Sequence, residues 1–240
     1  MLLITGANGG IGQHLTRHFL SEGVRDIACH YRGSHDQLDS ILREFDLDPA
    51  RHAYQADLTD EFSVAAMGEQ INNAHGYVTR LVNVAGSSTN AMSWKLSKAD
   101  FMQVLEDSLL TTFLCCKTFV PAMREKRFGR IVNFSSVVGF SGVAGAAHYA
   151  AAKSGLVGFT KSLALELAGR GITANAIALG YFNTGLIDSV PQTTQDEIRQ
   201  NIPMGRFGDQ QDVGSAVSYL ISNESSFMTG HVMHLNGGQY

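Results

Sequence analysis

Short apolar runs and longer amphipathic stretches take turns along the whole 240-residue chain. Seven runs have strand length, at 2–5, 26–31, 52–56, 79–85, 130–135, 173–178 and 231–235. Runs such as "LLIT" and "RIVNFS" are close to continuous rather than alternating. Strands buried on both faces read that way, which is the habit of parallel sheets covered by helices. Between them, 10–22, 35–45, 60–74, 97–125, 148–169 and 209–222 repeat apolar positions at helical spacing. Strand–helix alternation from end to end predicts an α/β fold: a single domain over 1–240, in three layers, with a parallel sheet of about seven strands and helices on both faces. One stretch breaks the rhythm, roughly 179–208, with "LGYFNTG" and "SVPQTTQDEI". In an open α/β sheet, ligands sit beyond the C-terminal strand ends, where such insertions form lids.

Composition narrows the function classes. Hydrophobic residues are 44% of the chain and charged ones 17%, enough to build a core and too apolar for disorder. A net charge of -4 gives no electrostatic case for nucleic acid or an anionic membrane as partner. No apolar run reaches membrane-spanning length. The opening "MLLITGANGG" lacks a basic segment, so a signal peptide is not expected and a cytoplasmic protein is. Of three cysteines, Cys115 and Cys116 are adjacent and Cys29 is alone, a pattern read as buried thiols rather than disulfides. His14 and His18 have the i, i+4 spacing of metal ligands, but no third ligand is near in sequence. They read as one helix face, and no metal is expected.

The first candidate chemistry is "TGANGGIG" at 5–12, between the first strand and the first helix. Glycines there permit positive φ and close backbone approach, and the helix N-terminus offers free N–H groups to a pyrophosphate. Gly6, Asn8, Gly10, Ile11 and Gly12 are therefore expected to cradle a dinucleotide in a Rossmann-type fold. The second strand ends "CHYRGS" with no carboxylate for a ribose 2′-hydroxyl, and Arg32 is placed to accept a 2′-phosphate. That favours NADPH over NADH; an Arg32 that is merely solvated would leave the choice open. "ADLTD" puts Asp57, beside Leu58, where it can bond an adenine amino group. "NVAG" makes Asn83, Ala85 and Gly86 a small-residue turn able to line the cofactor.

The second is "HYAAAK", which sets Tyr149 and Lys153 on one helix face. A free phenol titrates near ~10, and a neighbouring ammonium favours its ionised form. A phenol so tuned can protonate a carbonyl oxygen while a hydride reaches the carbon. Lys153 can also hold the nicotinamide ribose, and the alanines let the helix lie against a flat cofactor. "FSSVVG" places Ser135 and Ser136 at the end of the fifth strand, where a hydroxyl can orient the substrate oxygen. His148 either lines the substrate cleft or is an incidental neighbour.

Together with "GRIVNFSSVVG" and "TGHVMHLNGG", these stretches make the whole chain resemble the short-chain dehydrogenases/reductases. Within them it looks most like the 3-oxoacyl-[acyl-carrier-protein] reductases. The resemblance implies a cofactor-binding half over about 1–90 and a catalytic and substrate-loop half over about 91–240. It implies Ser136 as the carbonyl-orienting serine, Tyr149 as general acid, Lys153 as its partner, and Thr184 at the nicotinamide carboxamide. It implies acyl carrier protein as the partner that presents the substrate. In such reductases two arginines flank the site and dock the acidic carrier, and their positions match Arg127 and Arg170. A homotetramer built on the long helix 97–125 is implied as well. Two residues depart from the pattern. Ser108 stands where the family has an asparagine that completes a water relay to the lysine. Leu179 replaces a proline at the start of the substrate loop, which frees its φ. The expected activity is NADPH-dependent reduction of a 3-ketoacyl thioester in fatty-acid or polyketide- or polyene-like synthesis. Another short-chain alcohol or ketone dehydrogenase, or a weakly catalytic nucleotide-binding paralogue, are the alternatives.

Overall fold

All seven apolar runs lie in one parallel sheet, in the order β3-β2-β1-β4-β5-β6-β7. The computed structural model describes residues 1–184, 187 and 190–240. Its strands are β1 (Leu2–Thr5), β2 (Ile27–Tyr31), β3 (Ala53–Gln55), β4 (Arg80–Asn83), β5 (Gly129–Ser136), β6 (Ile172–Leu179) and β7 (Val232–Leu235). The helices between them are α1 (Gly10–Ser21), α2 (Asp36–Glu44), a short α3 (Pro49–His52), α4 (Glu61–His75), α5 (Lys98–Leu105) and α6 (Thr111–Lys126). After β5 come a one-turn α7 (Val138–Ser141) and the long α8 (Ala147–Leu167), then α9 (Gln192–Gln200) and α10 (Gln210–Ile221).

Neighbouring strand residues point to opposite sides of the sheet. Leu2 and Ile4 pack with Leu15 of α1, Leu38 of α2 and Val213 of α10. Leu3, between them, packs on the other side with Val64 of α4, Leu114 of α6 and Leu163 of α8. The central strands β1, β4, β5 and β6 thus bury both their faces, which is why they read as nearly unbroken apolar runs, while the edge strands β3 and β7 are more open. Some of the polar side chains in this core bond one another. Asn83 Nδ2 donates to Asn133 Oδ1 at 2.9 Å, and Asn133 Nδ2 to Thr160 Oγ1 at 2.9 Å, which ties β4, β5 and α8 together. The three cysteines are free and buried, and burial pushes the Cys29 thiol up to about 12.

From β1 the chain winds one way to β2 and β3, and from β4 the other way to β7. A crevice opens at that reversal, beyond the C-terminal ends of β1 and β4. Two features around it differ from the sequence expectation. The helix expected over 97–125 is broken by a π-helical turn at Glu106–Leu110. Thr111 Oγ1 donates to the Asp107 carbonyl and Thr112 Oγ1 to the Ser108 carbonyl, both at 3.0 Å. Hydroxyls that occupy those carbonyls favour a widened turn, and such turns gather at functional sites. The irregular stretch 179–208 contains the whole of α9, and Ile187, Ile202 and Phe207 form a small satellite core below it. Residues 185, 186, 188 and 189 of the expected lid lie outside the described residues. No helix among the described residues is long and apolar enough to cross a membrane.

Candidate active site

The crevice is a cleft of about 640 Å³ that every strand from β1 to β6 reaches with the residues at its C-terminal end. β1 delivers the glycine loop. Gly6 has φ +65°, and a Cβ on Gly12 would stand 2.1 Å from the Gly6 carbonyl oxygen. No side chain fits there, so backbone alone forms the floor. The loop is pinned from below by His30, a histidine in an otherwise apolar strand. Gly6 N–H donates to His30 Nδ1 at 3.0 Å, and His30 Nε2 lies 3.0 Å from the Ala56 carbonyl. That pair of partners requires the proton on Nε2, and burial holds His30 down at about 4. Asn8 Nδ2 ties the loop to the Ser34 carbonyl, and Gly10 and Ile11 line the cleft.

Arg32, Asp57, Leu58, Ala85, Gly86 and Thr184 also line the cleft. Hydrogen bonds from Thr59 hold the Asp57 carboxyl below its usual range. Asn83 is placed differently from its expected role: its side chain is buried between strands, bonded to Asn133, and is not on the cleft wall.

Ser136, Tyr149 and Lys153 converge from β5 and α8. α8 is fastened to the end of β5 by Ser135 Oγ, which donates to the Lys153 carbonyl at 2.8 Å, and by Lys153 Nζ, which donates to the Phe134 carbonyl at 2.7 Å. Both serines line the cleft, but the Ser135 hydroxyl is committed to fastening the helix. Ser136 Oγ accepts from Val138 N–H at 3.2 Å, and its own proton has only a 3.5 Å contact to the Leu179 carbonyl. Lys153 Nζ is 5.5 Å from the centre of the Tyr149 ring. Of the alanines between them, Ala152 is fully buried and Ala151 faces solvent. The phenol is raised rather than lowered, contrary to the sequence expectation. Burial pushes Tyr149 up to about 12, with the Ser136 hydroxyl pulling the other way. Burial also brings Lys153 down to about 8, which leaves an ammonium at neutral pH.

Ser108 sits in the π turn, fully buried, and its Oγ has no hydrogen-bond partner among the described residues. A Cβ on Gly86 would stand 3.2 Å from Ser108 Oγ and 3.5 Å from Lys153 Nζ, so both polar atoms close on one small volume behind Gly86. Leu179 keeps its strand conformation rather than loosening: it pairs with Ser136 and Leu235, and its carbonyl accepts from Val137 N–H at 2.9 Å. His148 is buried beside the cleft, with Nε2 3.1 Å from Thr89 Oγ1. His18 bonds Ser218 across to α10.

Arg127 and Arg170 lie together but not beside this cleft. Arg127 Nη2 reaches the Gly169 carbonyl at 3.4 Å. Both arginines precede their strands, near the Gly129–Ile172 pair, whereas Ser136 pairs with Leu179 at the other end. The seven-residue offset along β5 separates them from Ser136 by roughly 23 Å at ~3.3 Å per residue. The sequence also missed two groups in the cleft, His30 and Asp107. Their signal was a polar side chain inside a buried run.

Comparison with known proteins agrees with this geometry. A family model described as Enoyl-(Acyl carrier protein) reductase matches residues 6–239. The 3-oxoacyl-[acyl-carrier-protein] reductase FabG of Thermotoga maritima is 37% identical over 237 residues, covering 98% of this chain and 96% of that one. The protein of the same name from Salmonella typhimurium is 36% identical over 240 residues, with 99% and 96% covered, and that from Staphylococcus aureus is 34% identical over 239, with 99% and 97% covered. A likeness that runs the length of both chains, on a fold with this loop and this Ser136–Tyr149–Lys153 set, is more than a shared architecture. The chain belongs to the short-chain dehydrogenase/reductase family.

Proposed function

We propose that the protein reduces a 3-oxoacyl thioester, presented on acyl carrier protein, to the 3-hydroxyacyl thioester with NADPH. What carries this reading is the meeting of Ser136, Tyr149 and Lys153 in the same cleft as the glycine loop, in a chain similar along its whole length to named 3-oxoacyl reductases. A nicotinamide dinucleotide is the cofactor of this family, and the cleft fits one. Its floor is bare backbone where a Cβ on Gly12 would collide with Gly6, and Gly86 lines it without a side chain. Gly6, Gly10 and Gly12 would hold the pyrophosphate, Asp57 and Leu58 the adenine, Arg32 the 2′-phosphate, and Lys153 and Thr184 the nicotinamide end.

A nicotinamide held there would supply the hydride for the substrate's carbonyl carbon. The chain's own groups handle the oxygen. Ser136 has a proton that its weak contact with Leu179 leaves available, and it orients the carbonyl. Tyr149, held up at about 12, keeps its proton at neutral pH and gives it to the oxygen as negative charge develops. Lys153 holds a positive charge close to the phenol ring and stabilises the phenolate that remains. Ser108 Oγ, buried behind Gly86 without a partner among the described residues, would be the group to return a proton towards Lys153.

Arg127 and Arg170 would still serve as one basic point for an acidic carrier, but at the sheet edge away from their own cleft. Exposed Phe101, Met102 and Phe113 on α5 and α6, with Leu165 on α8, suit these helices to the proposed packing against further copies. The test is cofactor oxidation with acetoacetyl-carrier protein, free acetoacetyl thioester and a 2-enoyl thioester, each with NADPH and NADH. Fast turnover of the carrier-bound ketone with NADPH is expected. Turnover of the enoyl substrate instead, the chemistry named in the family model's description, would overturn the reading.

A further inference from the structure

Across the cleft from the catalytic serine lies a polar cluster that the glycine loop and the Ser–Tyr–Lys set do not use. Asp107, in the π turn, has a side chain only 8% exposed, and three donors meet on its carboxylate. Arg32 Nη1 reaches Oδ1 at 3.0 Å, Gln103 Nε2 reaches the same oxygen at 3.1 Å, and Ser87 Oγ reaches Oδ2 at 2.5 Å. Gln103 is on α5, Ser87 follows β4 and Arg32 follows β2. Because β1 lies between β2 and β4, the Arg32–Asp107 pair spans the crevice above the end of β1, where the glycine loop begins.

The two partners are unequal. Asp107 is anchored by Gln103 and Ser87 as well as by Arg32. The Arg32 side chain is 59% exposed and free to swing. Arg32 also acts on a second carboxylate, adding to the Thr59 hydrogen bonds that hold Asp57 low. The only guanidinium placed for a 2′-phosphate among the described lining residues thus already faces two acids. An arriving phosphate monoester carries close to two negative charges near pH 7. It must compete with Asp107 for Arg32 and then lie near a buried carboxylate that has lost a partner. An unphosphorylated ribose meets neither cost.

We propose that Asp107 is a specificity-determining residue for the cofactor: by holding Arg32 across the cleft it limits the preference for NADPH over NADH. This rests on the reading of Arg32 as the 2′-phosphate contact, and Arg32 alone tests that reading. The measurement is the dissociation constant of NADPH and of NADH, by titration without substrate, for the unmodified protein, Asp107→Asn, Arg32→Ala and the double variant. Asparagine keeps the shape of Asp107 and an oxygen for Ser87 or Gln103, and thermal melts check that each variant is folded.

Asp107→Asn is expected to tighten NADPH about fivefold or more, in the range of one partly exposed charge pair, and to move NADH by less than about twofold. In the Arg32→Ala background the same change should do nothing for either cofactor. Arg32→Ala, which alters an exposed side chain, is expected to weaken NADPH and spare NADH. If it weakens NADPH while Asp107→Asn fails to tighten it, the proposal is overturned and the phosphate reading stands. If Arg32→Ala leaves NADPH unchanged, both fall. Tightening of both cofactors alike by Asp107→Asn also overturns the proposal, because the carboxylate would then act on the cleft as a whole.

Discussion

The two ends of the cleft are held by different means. Beside Tyr149, side chains bond to main-chain carbonyls: Ser135 to that of Lys153, Lys153 to that of Phe134, and Ser154 Oγ to that of Gly139 at 2.5 Å. A carbonyl is present whatever residue supplies it, so this end follows from the β5–α8 packing. Beside Arg32, side chain meets side chain, with Asp107 gathering Arg32, Gln103 and Ser87. Each of those bonds depends on one residue type and is open to exchange without disturbing the sheet. On the proposed function, the chemistry of reduction would be built into the fold, and the choice of cofactor would rest on replaceable contacts at its rim.

Breaking the fixed end should cost most. Tyr149→Phe keeps the ring packed against Val137 and Val138 and removes only the acid. Turnover is expected to fall by about a thousandfold with cofactor affinity within a fewfold, read from single-turnover rates beside binding titrations. Turnover within tenfold of the parent would mean that another group supplies the proton.

The glycine floor comes next. Gly12→Ala puts a methyl group 2.1 Å from the Gly6 oxygen. Cofactor affinity is expected to drop by about a hundredfold with a lowered melting temperature, since the loop must move off His30 to make room. Undiminished binding would show that the loop adapts and that the floor is less fixed than its contacts suggest.

His30 sharpens the comparison through pH. In the folded chain it is held at about 4, against an ordinary value of 6.5. Between those values the unfolded chain binds a proton that the folded chain refuses. The contribution of His30 is therefore complete above 6.5 and is lost as pH falls through about 4, amounting to roughly 3 kcal/mol. Denaturant titrations from pH 7 to 4 should show that loss, and a shallower one in His30→Gln. Identical slopes would remove His30 as the acid-sensitive pin of the loop.

Ser108→Asn should have the smallest effect. A longer amide reaches further into the space behind Gly86 and is expected to raise kcat by a fewfold while KM stays put. A lower kcat would mean that the serine suits this π turn better than the family's asparagine does.

The sheet was legible because strands covered on both faces, such as "LLIT" and "RIVNFS", admit few polar residues. The glycine loop and the Ser–Tyr–Lys spacing were legible for a related reason, since backbone clearance and helix periodicity leave direct marks in sequence. The π turn left none: Glu106–Leu110 has the same apolar spacing as its flanks, and only Thr111 and Thr112 hint at the carbonyls they occupy. Asp107 was masked as well, since a carboxylate beside Glu106 in an amphipathic helix reads as part of a solvated face. α9 escaped notice because no residue of it is buried, so no apolar stripe announces it. For Arg127 and Arg170 the information was present: residues just before a parallel strand lie at the edge opposite those just after it.

The π turn has a further meaning for how this cleft can change over generations. It holds more residues per turn than the α-helices on either side of it. Removal of one codon within 106–110 would let α5 and α6 join as a single regular helix. The wide turn takes up its extra residue locally, so the helix on either side would keep the face it now presents and only the turn itself would narrow. Gln103 and Thr111 would stay in place, while within the turn the residue lost would decide whether Asp107 still faces Arg32 and Ser108 still lies behind Gly86. A single deletion here is thus a local selector, able to exchange one residue at the rim of the cleft while the helices on both sides remain docked.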